Sequence, residues 1–176
     1  MYKELMIGAG SNHTRRMNKY PPGSKEAPFQ NLVTLDFNPD HCPDVVWDLN
    51  DRPLPFDDNE FDELHAYEVL EHIGKQGDFR AFFEEFSEYH RILKPGGIFY
   101  ASVPCYNGMW AWGDPSHVRI ISVGTLAFLS QDQYRAQVGV TPMSDFRNIY
   151  KADFHVLGTS SCEREGTFFF LLKAIK

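Results

Sequence analysis

The spacing of apolar and polar positions changes several times along this chain, and each change marks an element. The apolar run at 5–9 passes straight into glycine, which predicts a buried first strand. Lys19-Tyr20-Pro21-Pro22-Gly23-Ser24 then breaks the chain, because two prolines fix φ and withdraw donors, so no full helix is expected there. Leu32–Phe37 and Asp44–Leu49 read as second and third strands, β-branched or aromatic and acidic near their ends. Phe61–Tyr67 reads as a fourth. The strongest helical pattern covers 78–93. Phe79, Phe82, Phe83, Phe86, His90 and Leu93 recur at helical spacing, with Arg80, Glu84, Glu85, Glu88 and Arg91 on the opposite face. Asp78 is placed to cap its start and Lys94-Pro95-Gly96-Gly97 to stop it. Ile98–Val103 predicts a fifth strand, and Ser122 opens a short helix near 122–130. Phe154–Thr159 and Thr167–Ile175, joined by the polar turn Ser160–Gly166, predict an antiparallel hairpin. The sum is a mostly parallel sheet with an antiparallel edge.

Composition narrows the setting. A chain of 176 residues, 43% hydrophobic and 15% aromatic, suits one domain spanning 1–176 with a sizeable core. It has no apolar run of about 18–20 residues and no signal-peptide pattern, so the expectation is a cytoplasmic protein with no membrane contact. Cys42, Cys105 and Cys162 stand apart and suggest no disulfide framework. The net charge of -7 does not point to a nucleic acid, though nothing excludes one. Arg15, Arg16 and Lys19 beside the first glycine loop read as a solvated loop, the alternative being contact with a phosphate or an acidic substrate.

Ligands on such sheets bind at the carboxyl ends of the strands, where the strand order reverses. Gly8-Ala9-Gly10-Ser11-Asn12 follows the first strand, where glycine permits a tight turn and close approach to a ligand. The dinucleotide fingerprint G-x-G-x-x-G would need glycine where this chain has His13. Asp36, with Phe37 beside it, ends the second strand, and its carboxylate can accept from both hydroxyls of a ribose or make a turn with Asn38 and Pro39. Asp48-Leu49 closes the third: Asp48 either accepts from an adenine amine or caps the Asn50-Asp51 turn, and Leu49 can pack on the ring. Ala66-Tyr67-Glu68-Val69-Leu70-Glu71-His72 follows the fourth. There carboxylates suit a cationic ligand and proton transfer, while Leu70 can also be core and Glu71 and His72 first-turn helix residues.

The runs MIGAGSN, VTLDFNP, VVWDLNDRPLPFDDNEFDELHAYEVLEHI and RILKPGGIFYASVP together resemble class I S-adenosylmethionine-dependent methyltransferases. The likeness is greatest to small methyltransferases with an LPF-D-x-x-FDE…LEH signature. It covers roughly residues 4–104, and the closing hairpin suits the same family. The resemblance implies an α/β, Rossmann-like, seven-stranded mostly parallel sheet of order 3-2-1-4-5-7-6, with an antiparallel last strand and helices on both faces. It implies S-adenosylmethionine as cofactor, with Gly8 and Gly10 by its methionyl part, Asp36 on the ribose, Asp48 on the adenine, and Tyr67 and Glu68 on the methionine side. Ala9, Asn12, Phe37 and Leu49 complete the cofactor-binding set. Three departures stand out: Met6 where the family often has an acidic residue, Asn12 in place of a third glycine, and Pro21-Pro22 where a helix normally continues. Binding then uses more side-chain contacts around Asn12–Arg15, or is weaker.

The implied reaction is in-line methyl transfer, with acceptor-facing groups on Glu68, His72 and the segment Pro104–His117. Glu68, His72 and His117 are the catalytic candidates; Tyr106, Trp110 and Trp112 offer a flat wall, with Asp114 nearby. Residues 105–117 are expected to form a mobile lid over the acceptor, the alternative being a rigid loop whose tryptophans finish the core. The D/N-P-P-Y/F motif of amino-methylating DNA enzymes is missing after the fourth strand, and Cys105 reads as an incidental thiol. No metal cluster is legible, since His41-Cys42 and His65…His72 lack partners at ligand spacing. Three readings follow: a methyltransferase acting on a small molecule or terminal group, a non-catalytic S-adenosylmethionine-binding partner subunit, and an NAD-linked oxidoreductase. His13, the hairpin and the lack of length for a substrate domain disfavour the last. The acceptor and the oligomeric state are not legible.

Overall fold

Period-two alternation sorts the strand side chains onto two faces: Leu5 and Ile7 enter the larger core while Met6, between them, joins a smaller one. The computed structural model describes residues 1–17, 28–162 and 166–176. Seven strands form one sheet: β1 (Glu4–Ile7), β2 (Leu32–Asp36), β3 (Val45–Val46), β4 (Phe61–Tyr67), β5 (Leu93–Pro104), β6 (Phe154–Thr159) and β7 (Thr167–Ala174). Their order is β3-β2-β1-β4-β5-β7-β6. The first five run parallel to one another, and β7 runs antiparallel to both β5 and β6. The chain steps outward from β1 through β2 to β3 and then returns to β1's other side as β4. The crevice between the carboxyl ends of β1, β2 and β4 is therefore the switch point.

Helix α1 (Phe79–Ile92) covers the larger face with Phe83, Phe86, Tyr89 and Ile92. Asp78 accepts from the Ala81 N–H at 3.1 Å and caps it as expected. The buried face is wider than the apolar pattern. Glu85 is buried, accepting from the Arg119 guanidinium at 2.7 Å and the Tyr89 hydroxyl at 2.9 Å, whereas Phe79 is exposed. Lys94–Gly97 does not interrupt the chain: α1 passes directly into β5, and the register against β4 shifts between Phe61 and Glu63. Short helices α2 (Trp110–Gly113), α3 (Val123–Ala127) and α4 (Gln131–Gln137) follow. Ser122 and Thr125 form a capping box for α3, and α4 is an element the sequence reading lacked.

On the other face Met17, Phe29 and Leu32 pack over Met6, Tyr67 and Tyr100. Here the reading of Arg15 as solvated is corrected. Its side chain is buried, with Nη2 2.6 Å from Glu4 and 2.7 Å from Glu63, and the guanidinium lies 4.5 Å from the Phe29 ring centroid. Lys19 and the Pro21-Pro22 break lie outside the described residues, as does part of the Ser160–Gly166 turn. The cysteine reading is also corrected: Cys105 and Cys162, 57 positions apart, form a disulfide joining the end of β5 to the hairpin turn, and Cys42 is free. The third strand is two residues long because Asp44 takes the Thr34 N–H and hydroxyl on its own side chain, both at 2.8 Å. Among the described residues no helix is long and apolar enough to cross a membrane.

Candidate functional site

The turn after β1 is built by two glycines in the left-handed region, Gly8 at φ 57° and Gly10 at φ 56°. A Cβ on Gly8 would lie 2.2 Å from Cγ2 of Val69, so the end of β1 meets the loop after β4 only through a bare backbone. A Cβ on Gly10 would meet nothing within 4 Å; that side of the turn is open. Gly8→Ala combines an impossible contact with a strained φ. The expected result is loss of the turn and of any ligand bound to it, with destabilisation of about 2–4 kcal/mol. Urea unfolding and ligand titration check it; wild-type values for both would refute the packing described.

Asp36 joins this turn to β2. Its Oδ2 accepts from the Gly10 N–H at 2.8 Å and its Oδ1 from the Asn38 N–H at 2.9 Å, with His41 Nδ1 3.2 Å from Oδ1. The sequence alternatives were a ribose carboxylate or a local turn; the geometry adds a third role, a clamp between the first two strand ends. Phe37 is exposed next to it. Asn12 caps the Thr14 N–H at 3.0 Å and is exposed. Asp48 makes the turn of the plainer reading, accepting from the Asn50 N–H at 2.8 Å and side-chain amide at 3.0 Å, and Leu49 enters the core. Ala9 is buried, its N–H donating to Leu35 at 3.1 Å.

After β4 the chain turns sharply. Tyr67 points into the smaller core, its hydroxyl 2.8 Å from His65 Nδ1, and burial pushes the phenol up to about 12. Glu68 has φ 58°, and its Oε1 is buried with no hydrogen-bond partner among the described residues. A single 3₁₀ turn, Leu70–His72, follows. Glu71 is buried; burial first, then the charges of Glu68 and Asp114, push its carboxyl up to about 8 against the opposing pull of Arg119 and a backbone amide.

His72 and His117 meet over Glu71. Their ring centroids are 4.7 Å apart, and their Nε2 atoms lie 4.0 and 3.9 Å from Glu71 Oε1. Two bonds to backbone carbonyls deliver His117: the Val118 N–H donates to the Glu71 carbonyl at 2.8 Å, and the Arg119 side-chain Nε to the Leu70 carbonyl at 2.7 Å. Two of the three catalytic candidates are thus brought together, with Glu68 nearby on the same turn. The sequence offered Glu71 as one of the carboxylates after β4 or as a first-turn helix residue; its burial carried no linear signal. In the segment 105–117, Tyr106, Met109, Trp110 and Trp112 are exposed, so the tryptophans do not finish the core; Ala111 does.

Comparison with known proteins agrees with this architecture. The methyltransferase-domain family profile matches residues 23–101. A structure of the Haloferax volcanii Trm112 methyltransferase activator in complex with a methyltransferase aligns at 18% identity and TM-score 0.56, covering 99% of this chain and 83% of that one. An S-adenosylmethionine-dependent methyltransferase from Archaeoglobus fulgidus aligns at 15% identity and TM-score 0.60, covering 98% and 86%. The N-methyltransferase NodS from Bradyrhizobium japonicum WM9, in complex with S-adenosylhomocysteine, aligns at 12% and TM-score 0.57, covering 99% and 79%. A search of the curated proteins found no match. The sheet order with antiparallel β7 is that of the methyltransferase fold these neighbours share, and the methyltransferase-domain profile matches a little under half of the chain.

Proposed function

We propose that this chain binds S-adenosylmethionine at the β1–β2–β4 crevice and transfers its methyl group to an acceptor seated beside the turn Glu68–His72. The observation that carries the reading is the Gly8–Gly10 turn clamped to Asp36 at the switch point. The residues fit the ligand. The turn is open on the Gly10 side, and Asp36 Oδ2, holding one backbone N–H, retains a lone pair for a ribose hydroxyl, while Oδ1 has the Asn38 N–H and His41 Nδ1 beside it. Phe37 offers an exposed ring beside that carboxylate, and the orphaned Glu68 oxygen favours a positive charge.

When bound, the ligand supplies a methyl group on a positively charged sulfur, a leaving group already activated. The protein's share is positioning, which can lower such a barrier by several kcal/mol when the reacting atoms are held in line. Glu68, His72 and His117 stand on the acceptor side and are placed to accept the proton an acceptor loses as its bond to carbon forms. A small molecule or a terminal group is the acceptor class proposed, and the cytoplasm the compartment.

The experiment is a thermal-shift comparison at matched concentrations. S-adenosylhomocysteine at about a thousand times its dissociation constant should add about 4 kcal/mol to folding and raise Tm by roughly 10 °C, with no rise from NAD. A rise with NAD alone would overturn the reading. The doubly wound dinucleotide fold also has the order 3-2-1-4-5-6, whereas here an antiparallel β7 is inserted between β5 and β6.

A further inference from the structure

We infer that Glu71, His72 and His117 form a binding site for a divalent transition-metal ion. One ligand atom from each, two imidazole nitrogens and a carboxylate oxygen, all lie within 4.8 Å of one another.

The tautomers can be derived from the hydrogen bonds. His117 Nδ1 lies 2.8 Å from the Trp110 carbonyl, which only accepts, so Nδ1 carries the proton. His72 Nδ1 lies 3.3 Å from the Ser116 carbonyl and 3.1 Å from the Ser116 hydroxyl. That hydroxyl already donates to Asp114 at 2.6 Å, so it too accepts from His72. With Nδ1 of each ring engaged in this way, each ring has its Nε2 on the Glu71 side, 4.0 and 3.9 Å from Oε1. Three atoms able to ligate a metal converge there.

A simple ion pair does not account for this. Both Nε2 atoms stand beyond hydrogen-bond distance of the carboxylate, so no hydrogen bond joins either ring to it. Ligands bonded at about 2.1 Å to one ion stand roughly 3–3.5 Å apart, so closing on a cation requires shifts of less than about 1 Å. Glu71 is 3% exposed, and its Oε2 has no partner among the described residues. Asp114 Oδ2, 3.8 Å from His117 Nε2, and the charge of Glu68 add to the negative field. Carbonyls holding the far nitrogen of each ring are the outer support that metal-bound histidines have. Two imidazoles with one carboxylate favour Zn²⁺, Mn²⁺, Fe²⁺ or Co²⁺ over Mg²⁺ or Ca²⁺, which prefer oxygen throughout. Three protein ligands leave coordination positions open. If methyl transfer takes place here, as the proposed function has it, an acceptor hydroxyl would fill one, and with both Nε2 lone pairs on the ion Glu68 is the group left to take its proton.

Chelator-dialysed protein titrated with Co²⁺ reads the site through its visible absorption, with Zn²⁺ as competitor. The expected result is one equivalent of Co²⁺ with d–d bands, displaced by Zn²⁺, and at least 100-fold weaker binding in the His72→Ala, His117→Ala double variant. Bands of equal strength in that variant, or none in the wild type, would overturn the proposal. Mn²⁺ broadening of histidine ring resonances in the unaltered protein guards against a variant that does not fold. Selective loss of the His72 and His117 signals supports the site; uniform or unrelated broadening refutes it. S-adenosylhomocysteine titration of the same samples reports separately on the methyl-transfer reading.

Discussion

Arg15→Ala is expected to destabilise the protein by about 3–5 kcal/mol and to lower Tm by roughly 10 °C. Glu4 and Glu63 occupy directly paired positions on the parallel strands β1 and β4, and both are buried. Two carboxylates side by side in a core repel each other and have lost water. The Arg15 guanidinium bridges them at 2.6 and 2.7 Å. Removing it takes the shared cation from two buried carboxylates, Glu4 keeping the Gln30 and Asn31 amides and Glu63 keeping Tyr2 and His65, and losing one partner of a buried ion pair costs more than the pair contributes when intact. Burial alone would push the Glu63 carboxyl up, but bonds with His65, Tyr2 and Arg15 outweigh it and hold it at about 2, against 4.5 unperturbed. A folded-state value below the unfolded one means stability that is full above pH 4.5 and lost as pH falls toward 2. Urea unfolding at pH 7 and pH 3 should thus show a large gap between wild type and Arg15→Ala at pH 7 that narrows at pH 3. Adding Glu4→Gln and Glu63→Gln should restore much of the loss. A deficit under 1 kcal/mol at pH 7 would show that the charges find water or other partners.

That network was invisible in the sequence for a physical reason. Arg15 lies 11 and 48 positions from its two carboxylates, and no local period reports contacts of that range. Placed beside Arg16 and Lys19, it looked like a solvated basic run. The strands were legible because burial on a pleated sheet imposes its own alternation, and β4 was read to the residue. The third strand was overread, since backbone pairing there gives way to the Asp44 side chain. Glu85 was set on the polar face of α1 because its partner Arg119 comes from a segment 34 positions on. The Glu71–His72–His117 cluster escaped for the same cause: Glu71 and His72 are adjacent, but His117 reaches them only after β5 and α2. Spacing finds ligands on one helix or one loop and misses those gathered by topology. The glycine turn and Asp36 were legible as motifs, while their mutual hydrogen bond was not.

Asp36→Ala is expected to weaken S-adenosylhomocysteine binding by at least 100-fold and to lower the stability of the free protein. Two effects add, and they can be separated. The carboxylate holds the Gly10 and Asn38 amides, so its loss leaves donors unpaired at a buried position, costing about 1–3 kcal/mol of folding. If it also holds the ribose hydroxyls, each charge-assisted bond lost costs about 1.5–3 kcal/mol of binding. Asp36→Asn distinguishes the two. It keeps the shape and one oxygen, so one of the two amides still has its acceptor, yet the amide nitrogen cannot accept from the other amide or from a hydroxyl. Asp36→Glu retains the charge on a longer stem. At 4% exposure the site has little room for it, so it should bind better than alanine but below wild type. Calorimetric titration of each folded variant, with its unfolding curve, gives both numbers. Variants that lose stability but bind at wild-type affinity would reduce Asp36 to a clamp and move the ribose contact elsewhere on the β2 end. A ranking of wild type, then Glu, then Asn, then Ala in affinity would tie the ligand to the carboxylate itself.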